Sequence, residues 1–128
     1  MKVLRNWDNK TWLSSTAYIN SFNSFLLKKK KLNKNSNILD IGCGRGKIFG
    51  ILSKKLKLAN KPIGIDPIVH KDIDIGIDFR NEDVFKFFKA NQIKFDLIMI
   101  KQTLHFFNKN KRVRLIKICK NNLKKNGV

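Results

Sequence analysis

Residues 37–49, NILDIGCGRGKIF, join an apolar run to a periodic one through three glycines at alternate positions, Gly42, Gly44 and Gly46. NILDIG is β-rich and stops at a glycine, while Ile48, Ile51, Leu52 and Leu56 fall on one helical face, so the stretch reads as strand, glycine turn, helix. A turn stripped of Cβ atoms at a helix start lets backbone N–H groups approach a ligand closely. Spacing separates the common versions of such a turn. A Walker A loop needs four residues between its first glycine and Gly-Lys and a hydroxyl after the lysine, and here Ile41 and Ile48 hold the glycine and hydroxyl places. The dinucleotide fingerprint asks for glycine at position 47, where this chain has Lys47. Neither pattern fits.

The elements around the turn set the fold class. Residues 1–36 read as a helical preface, with Tyr18, Phe22, Phe25 and Leu26 on one face and Asp8 or Thr11 as a cap. From residue 37 onward strands and helices alternate. KPIGIDP is a second short strand stopped by Pro67. IDIGIDF is a third, with Ile73, Ile75, Ile77 and Phe79 alternating against polar neighbours as at a sheet edge. FDLIMI is a fourth, apolar on both faces and therefore central. The last segment places Ile116, Cys119 and Leu123 on one helical face and ends in Asn126-Gly127, a left-handed helix stop. This alternation predicts an α/β fold with a doubly wound parallel sheet.

Charge narrows the choice of partners. Lys and Arg number 28 against 9 Asp and Glu, a net charge of +19 that suits polyanions such as RNA or an anionic membrane face. Lysine supplies 23 of the basic residues, and Lys, Asn and Ile make up 54 of the 128. All three have A/T-rich codons, so genome composition explains the excess without a dedicated nucleic-acid surface, and that explanation is preferred. The run Lys28 to Lys31 reads as a solvated helix end. Apolar runs are short and broken by lysine, which leaves no spanning helix and no signal h-region and makes a cytoplasmic protein without membrane partners the expectation. Cys43 and Cys119 stand far apart without CxxC, and only His70 and His105 could add imidazole ligands, so no metal is expected.

Asp40-x-Gly42-x-Gly44-x-Gly46 on a strand end resembles the class I S-adenosylmethionine-dependent methyltransferases, and the resemblance continues through ordered stations to the C-terminus. It implies a Rossmann-like methyltransferase sheet with about four strands present. It implies that LDIGCGRG wraps the methionine part of S-adenosyl-L-methionine, with Asp40 at the strand end and Gly42, Cys43, Gly44 and Gly46 beneath the cofactor. Asp66 in GIDP, 20 residues after Gly46, is implied to take the ribose hydroxyls, a grip that a carboxylate accepting two protons can supply. Beginning a turn with Pro67 is its structural alternative. Asp83 in NEDVF is implied to accept from the adenine amino group, with the Val84 N–H nearby; a surface turn is the alternative. Lys101 and Gln102 in KQTLHFF are implied to border the methionine moiety and the acceptor. His105 is the candidate general base, or else a half-buried histidine packed with Phe106 and Phe107. Cys43 is a thiol near a helix start, or simply a small residue tolerated beside the glycines.

Two departures qualify the resemblance. About six residues separate Asp66 from Ile73, where a parallel crossover usually needs a dozen or more, so the helix of that connection is expected to be vestigial. A short connection also resembles the ribosomal-RNA ribose methyltransferases, but Lys101 stands where those have an aspartate. The family's sheet has seven strands with the first in the middle, whereas this sequence reaches Val128 where a fifth strand is expected to begin. The expected organisation is a preface, 1–36, and an S-adenosylmethionine-binding domain, 37–128, truncated before that strand. Its exposed FDLIMI edge is expected to pair with another chain. The function expected is methyl transfer to a small-molecule acceptor, with RNA methylation or a non-catalytic cofactor-binding domain as alternatives.

Overall fold

The computed structural model describes residues 16–101 and 103–128. Asp8, Thr11 and Gln102 of the sequence reading lie outside the described residues. The described elements run helix α1 (Thr16–Lys29), strand β1 (Ile38–Ile41), helix α2 (Lys47–Leu56), strands β2 (Ile63–Ile65) and β3 (Asp78–Arg80), helix α3 (Val84–Ala90), strand β4 (Leu97–Ile100), a 3-10 turn (Leu104–Phe106) and helix α4 (Lys109–Asn121). The four strands form one parallel sheet in the order β3-β2-β1-β4, with β1 internal.

Period-two alternation along β1 explains the two layers. Leu39 and Ile41 join Ile63, Ile65, Phe87, Phe95 and Leu115 in one core under α3 and α4. Ile38 points the other way and packs with Leu26, Phe49, Leu52, Ile77 and Leu97 under α1 and α2. Helices on both faces make this the α/β doubly wound architecture expected from the sequence. Asp96 ties the sheet's entry end together: its Oδ2 accepts from the Asn37 N–H at 2.7 Å and from the Lys124 ammonium at 2.8 Å. Along the outer edge of β4, Val128 donates to the Asp96 carbonyl at 3.0 Å, and its own carbonyl accepts from the Ile98 N–H at 2.9 Å. That alternation is the parallel ladder pattern, so the last residue lies where a strand beside FDLIMI is expected.

Three elements differ from the sequence reading. The third strand is Asp78–Arg80 rather than residues 73–79, because Asp74 bends the preceding chain into a turn. Its Oδ1 accepts from the Gly76 N–H at 2.8 Å, and its own N–H donates to the Arg45 carbonyl at 2.8 Å. Ile75 is left 77% exposed, so the alternation from 73 to 77 reflects a folded loop and not a pleat. The connection from β2 to β3 therefore occupies residues 66–77, and no helix is formed within it. Helix α4 ends at Asn121 and buries Leu115 and Cys119, whereas Ile116 is 52% exposed. In α1 the buried residues are Ile19, Asn23 and Leu26, which leaves Tyr18 and Phe22 half-buried toward the sheet's exit end and Phe25 largely exposed.

Asp83 has a structural task. It is the N-cap of α3, and its carboxylate accepts from the Lys86 N–H at 3.0 Å. Removing a carboxylate cap typically costs about 1 kcal/mol. Asp83→Ala should therefore lower stability by that amount in urea denaturation, and an unchanged midpoint would show that the cap contributes nothing.

Candidate functional site

The C-terminal ends of β1, β2 and β4 converge on the glycine turn. Gly42, Gly44 and Gly46 have φ of 75°, 56° and 71°, all left-handed, which explains glycine at alternate positions. The turn is pinned to the end of β2 by Gly42 N–H and Cys43 N–H, which donate to the Ile65 carbonyl at 2.8 and 3.1 Å. Gly44 N–H donates to Asp66 Oδ2 at 2.9 Å. A Cβ on Gly42 would stand 1.9 Å from Thr103 Oγ1, so the backbone of the turn meets the segment beyond β4 with no room between them.

Asp66 is buried and held from several sides. Oδ1 accepts from the Ile68 N–H at 2.9 Å, and the His70 imidazole lies 3.8 Å from Oδ2. Its backbone is fixed against the end of β3 by its N–H to the Arg80 carbonyl at 3.2 Å and by Asn81, whose amide donates to the Asp66 carbonyl at 2.9 Å. The structure thus brings Asp66 and the glycine turn into direct contact. The 66–77 loop closes over the other side of the turn: Ile77 packs where a Gly46 Cβ would be, and Asp74 lies 4.0 Å from the Lys47 ammonium.

Asp40 is one position before the last residue of β1 and on the same face as Ile38, toward α1 and α2. It is buried. Burial pushes its pKa up to about 7; the Lys101 ammonium pulls against this shift, and the Asp66 carboxylate adds to it. Asp40 pairs in register with Met99, so Lys101, two residues on and just past the end of β4, projects from the same face. Its ammonium sits 4.7 Å from the Tyr18 ring centroid and 5.2 Å from that of Phe22, and the two rings are 6.0 Å apart.

The remaining candidates are placed at the rim. Val84 is buried at the start of α3, directly after Asp83, so its N–H belongs to the first turn, where amides lack an intrahelical acceptor. Cys43 is half-buried and packs against Gly64, where its small side chain fits. His105 is exposed in the 3-10 turn, its ring 4.1 Å from that of Phe106, rather than half-buried as its structural alternative expected. Sequence reasoning missed Thr103, whose hydroxyl donates to the Lys101 carbonyl at 2.9 Å. It also missed His70 beside Asp66 and the aromatic pair above Lys101. The β4 register and the alternation through Met99 are the signal that could have placed Lys101 beside Asp40. A separate cleft of about 680 Å³ lies toward the sheet's entry end and along β3, lined by residues including Asn37, Lys61, Phe79 and Phe95, away from this convergence. Among the described residues no group of His, Cys, Asp and Glu is arranged to hold a metal ion, and no helix is long and apolar enough to cross a membrane.

A buried carboxylate near the end of β1, an acid at the next strand end and a turn of bare backbone fit a ligand carrying positive charge and hydroxyl groups. Comparison with known proteins agrees with that chemistry. A family model described as a methyltransferase domain matches residues 38–127. No curated protein matches the chain. Among solved structures, the plantazolicin methyltransferase BpumL in complex with SAH is 26% identical with a TM-score of 0.70, over 96% of this chain and 48% of its own. A SAM-dependent methyltransferase from Geobacter sulfurreducens in complex with S-adenosyl-L-homocysteine shares the fold at 11% identity and a TM-score of 0.72, over 99% of this chain and 53% of its own. One from Archaeoglobus fulgidus does so at 22% identity and 0.62, over 83% and 47%. The chain thus spans about half the length of the structures it matches. With the family model covering most of the sequence and the sheet order set around β1, the chain belongs to the methyltransferase-domain family and carries the Rossmann-like fold of the class I S-adenosylmethionine-dependent methyltransferases.

Proposed function

We propose that this chain binds S-adenosyl-L-methionine across the ends of β1, β2 and β4 and serves methyl transfer to a small-molecule acceptor. The observation that carries the reading is the contact of the left-handed glycine turn with Asp66, which sets bare backbone and a carboxylate side by side at adjacent strand ends. When bound, the cofactor supplies an activated methyl group on a sulfonium leaving group. The residues of the chain bind, orient and exclude water. In this reading Gly42, Cys43, Gly44 and Gly46 underlie the methionine part and Asp40 faces its positive charge. Asp66 holds the ribose hydroxyls with the lone pairs left by its two backbone donors. Asp83 and the Val84 N–H meet the adenine edge while Asp83 still caps α3. Lys101 and Gln102 border the methionine moiety and the acceptor, and the exposed His105 is the candidate base. Residues 37–128 form the cofactor-binding unit, and α1 completes it from the preface. The small-molecule acceptor is supported by BpumL, whose structures hold desmethylPZN analogs together with SAH.

Calorimetric titration of S-adenosylmethionine into two variants tests the assignment of the acids. Asp66→Ala should weaken binding about tenfold, the loss expected when hydrogen bonds to a charged group worth about 1.5 kcal/mol disappear. Asp83→Ala should weaken it less, since water replaces a single adenine contact. Equal or reversed losses would refute the ribose assignment, and no binding by the unaltered chain would refute the cofactor reading.

A further inference from the structure

An ammonium is seated against aromatic rings at the strand ends that carry the proposed cofactor site. Lys101 follows β4 on the face of the sheet that carries Asp40, and its Nζ lies against two rings of α1, 4.7 Å from Tyr18 and 5.2 Å from Phe22. Two π faces and a buried carboxylate nearby form a seat for an organic cation, since ring quadrupoles and an anion both favour positive charge and neither needs a hydrogen-bond donor. The Lys101 backbone is held by Thr103, whose hydroxyl donates to its carbonyl at 2.9 Å and which packs on Gly42. The lysine is therefore anchored beside the turn, and only its flexible stem can move.

We infer that Lys101 is a specificity-determining residue of the cofactor site: its ammonium takes the Tyr18–Phe22 seat that would otherwise receive the sulfonium, so the chain disfavours the charged methyl donor relative to its neutral thioether product. The inference rests on the S-adenosylmethionine reading proposed above. The donor and S-adenosylhomocysteine share the adenosine, the carboxylate and the methionyl ammonium, and differ only in the methyl group and the charge on sulfur. A fixed positive charge at the seat acts on that difference alone, either by occupying the rings or by repelling the sulfonium from beside them. The lysine then favours release of neither molecule in general; it shifts the ratio of the two affinities.

The test is isothermal titration of both molecules into the full chain and into Lys101→Met and Lys101→Arg, at about pH 8.5 so that Asp40 is ionised. Lys101→Met should shift the ratio of dissociation constants about tenfold toward S-adenosylmethionine, between the sizes of an exposed and a desolvated cation–π contact. Lys101→Arg keeps the charge and should leave the ratio within about twofold. Lys101→Gln provides the same neutral comparison should methionine impair folding. Equal tightening of both molecules would overturn the inference, because the ammonium they share would then be the competitor. An unchanged pair of affinities would overturn it as well. Binding of neither molecule by any of the proteins would instead overturn the cofactor reading on which it rests.

Discussion

Gly42→Ala should destabilise the fold by about 3 kcal/mol, and about half of that loss should be recoverable by a second substitution at Thr103. Two separate costs meet at this residue. Its φ of 75° is left-handed, where a side chain costs roughly 1–2 kcal/mol. The new Cβ would also stand 1.9 Å from Thr103 Oγ1 and 3.1 Å from its Cβ, inside van der Waals contact. Threonine is short and stiff at χ1, so its hydroxyl cannot swing away while it stays bonded to the Lys101 carbonyl. Overpacking of this kind costs about 1–3 kcal/mol. Thr103→Ala removes the clashing oxygen but leaves φ as it is. The double-mutant cycle should therefore show a coupling of about 1.5 kcal/mol in urea denaturation. Additive losses would mean that the turn shifts away from β4, and the close approach described here would be wrong. The same alanine is expected to weaken S-adenosylmethionine binding, since the turn it distorts is the proposed floor of the site.

That clash also shows where the sequence was legible and where it was not. The alternate glycines were legible because left-handed backbone is a local requirement that a residue type announces by itself. The parallel, doubly wound class followed from alternating apolar runs and helical periods, a pattern that survives without knowledge of any contact, while the inner place of β1 came with the family resemblance. Thr103 carried no such mark: its importance comes from a meeting with Gly42 across 61 positions of sequence, and nothing in TLHFF signals it. Residues 73–79 were misread for the opposite reason. Alternation of isoleucine and aspartate satisfies a strand pattern, yet Asp74 uses its side chain to bond the Gly76 N–H, and a local Asx-type turn competes successfully with the ladder. In α1, Tyr18 and Phe22 share a stripe with Phe25 and Leu26 in the sequence reading, because helical spacing gives a face but not its direction. The packing of Ile19, Asn23 and Leu26 turns that face so that the aromatics lie against Lys101. Helix α4 repeats the lesson, with Leu115 inside and Ile116 out.

The largest effect is expected from pH acting on Asp40. Its carboxyl is raised from 3.8 to about 7, chiefly because burial disfavours the charged form, with Lys101 opposing and Asp66 reinforcing the shift. In the unfolded chain the same group ionises near the ordinary value. Between these two pKa values the folded state holds more protons than the unfolded one, so stability falls as pH rises. The contribution is fully present below about pH 4, is lost progressively up to about 7, and changes no further above that. A shift of this size corresponds to on the order of 4 kcal/mol. Asp96 acts in a separate window. Partial burial pushes its pKa up, but the Lys124 ammonium and the Asn37 N–H pull it below 3.8, so its contribution is lost only in more acidic solution. Subtraction of Asp40→Asn from the unaltered protein therefore isolates Asp40 between pH 4 and 8. The variant should match the unaltered chain near pH 4 and exceed it by several kcal/mol at about pH 8, because a neutral amide of the same shape removes the buried charge. Chemical denaturation at a series of pH values provides the measurement, and parallel curves with a constant offset would show that Asp40 is not held protonated by its surroundings. The direction of the effect has a functional consequence under the proposed reading: a carboxylate whose ionisation burial makes costly is the group that gains most when a cation arrives beside it, so S-adenosylmethionine binding near neutral pH should release a proton, visible as a dependence of the binding enthalpy on the ionisation enthalpy of the buffer.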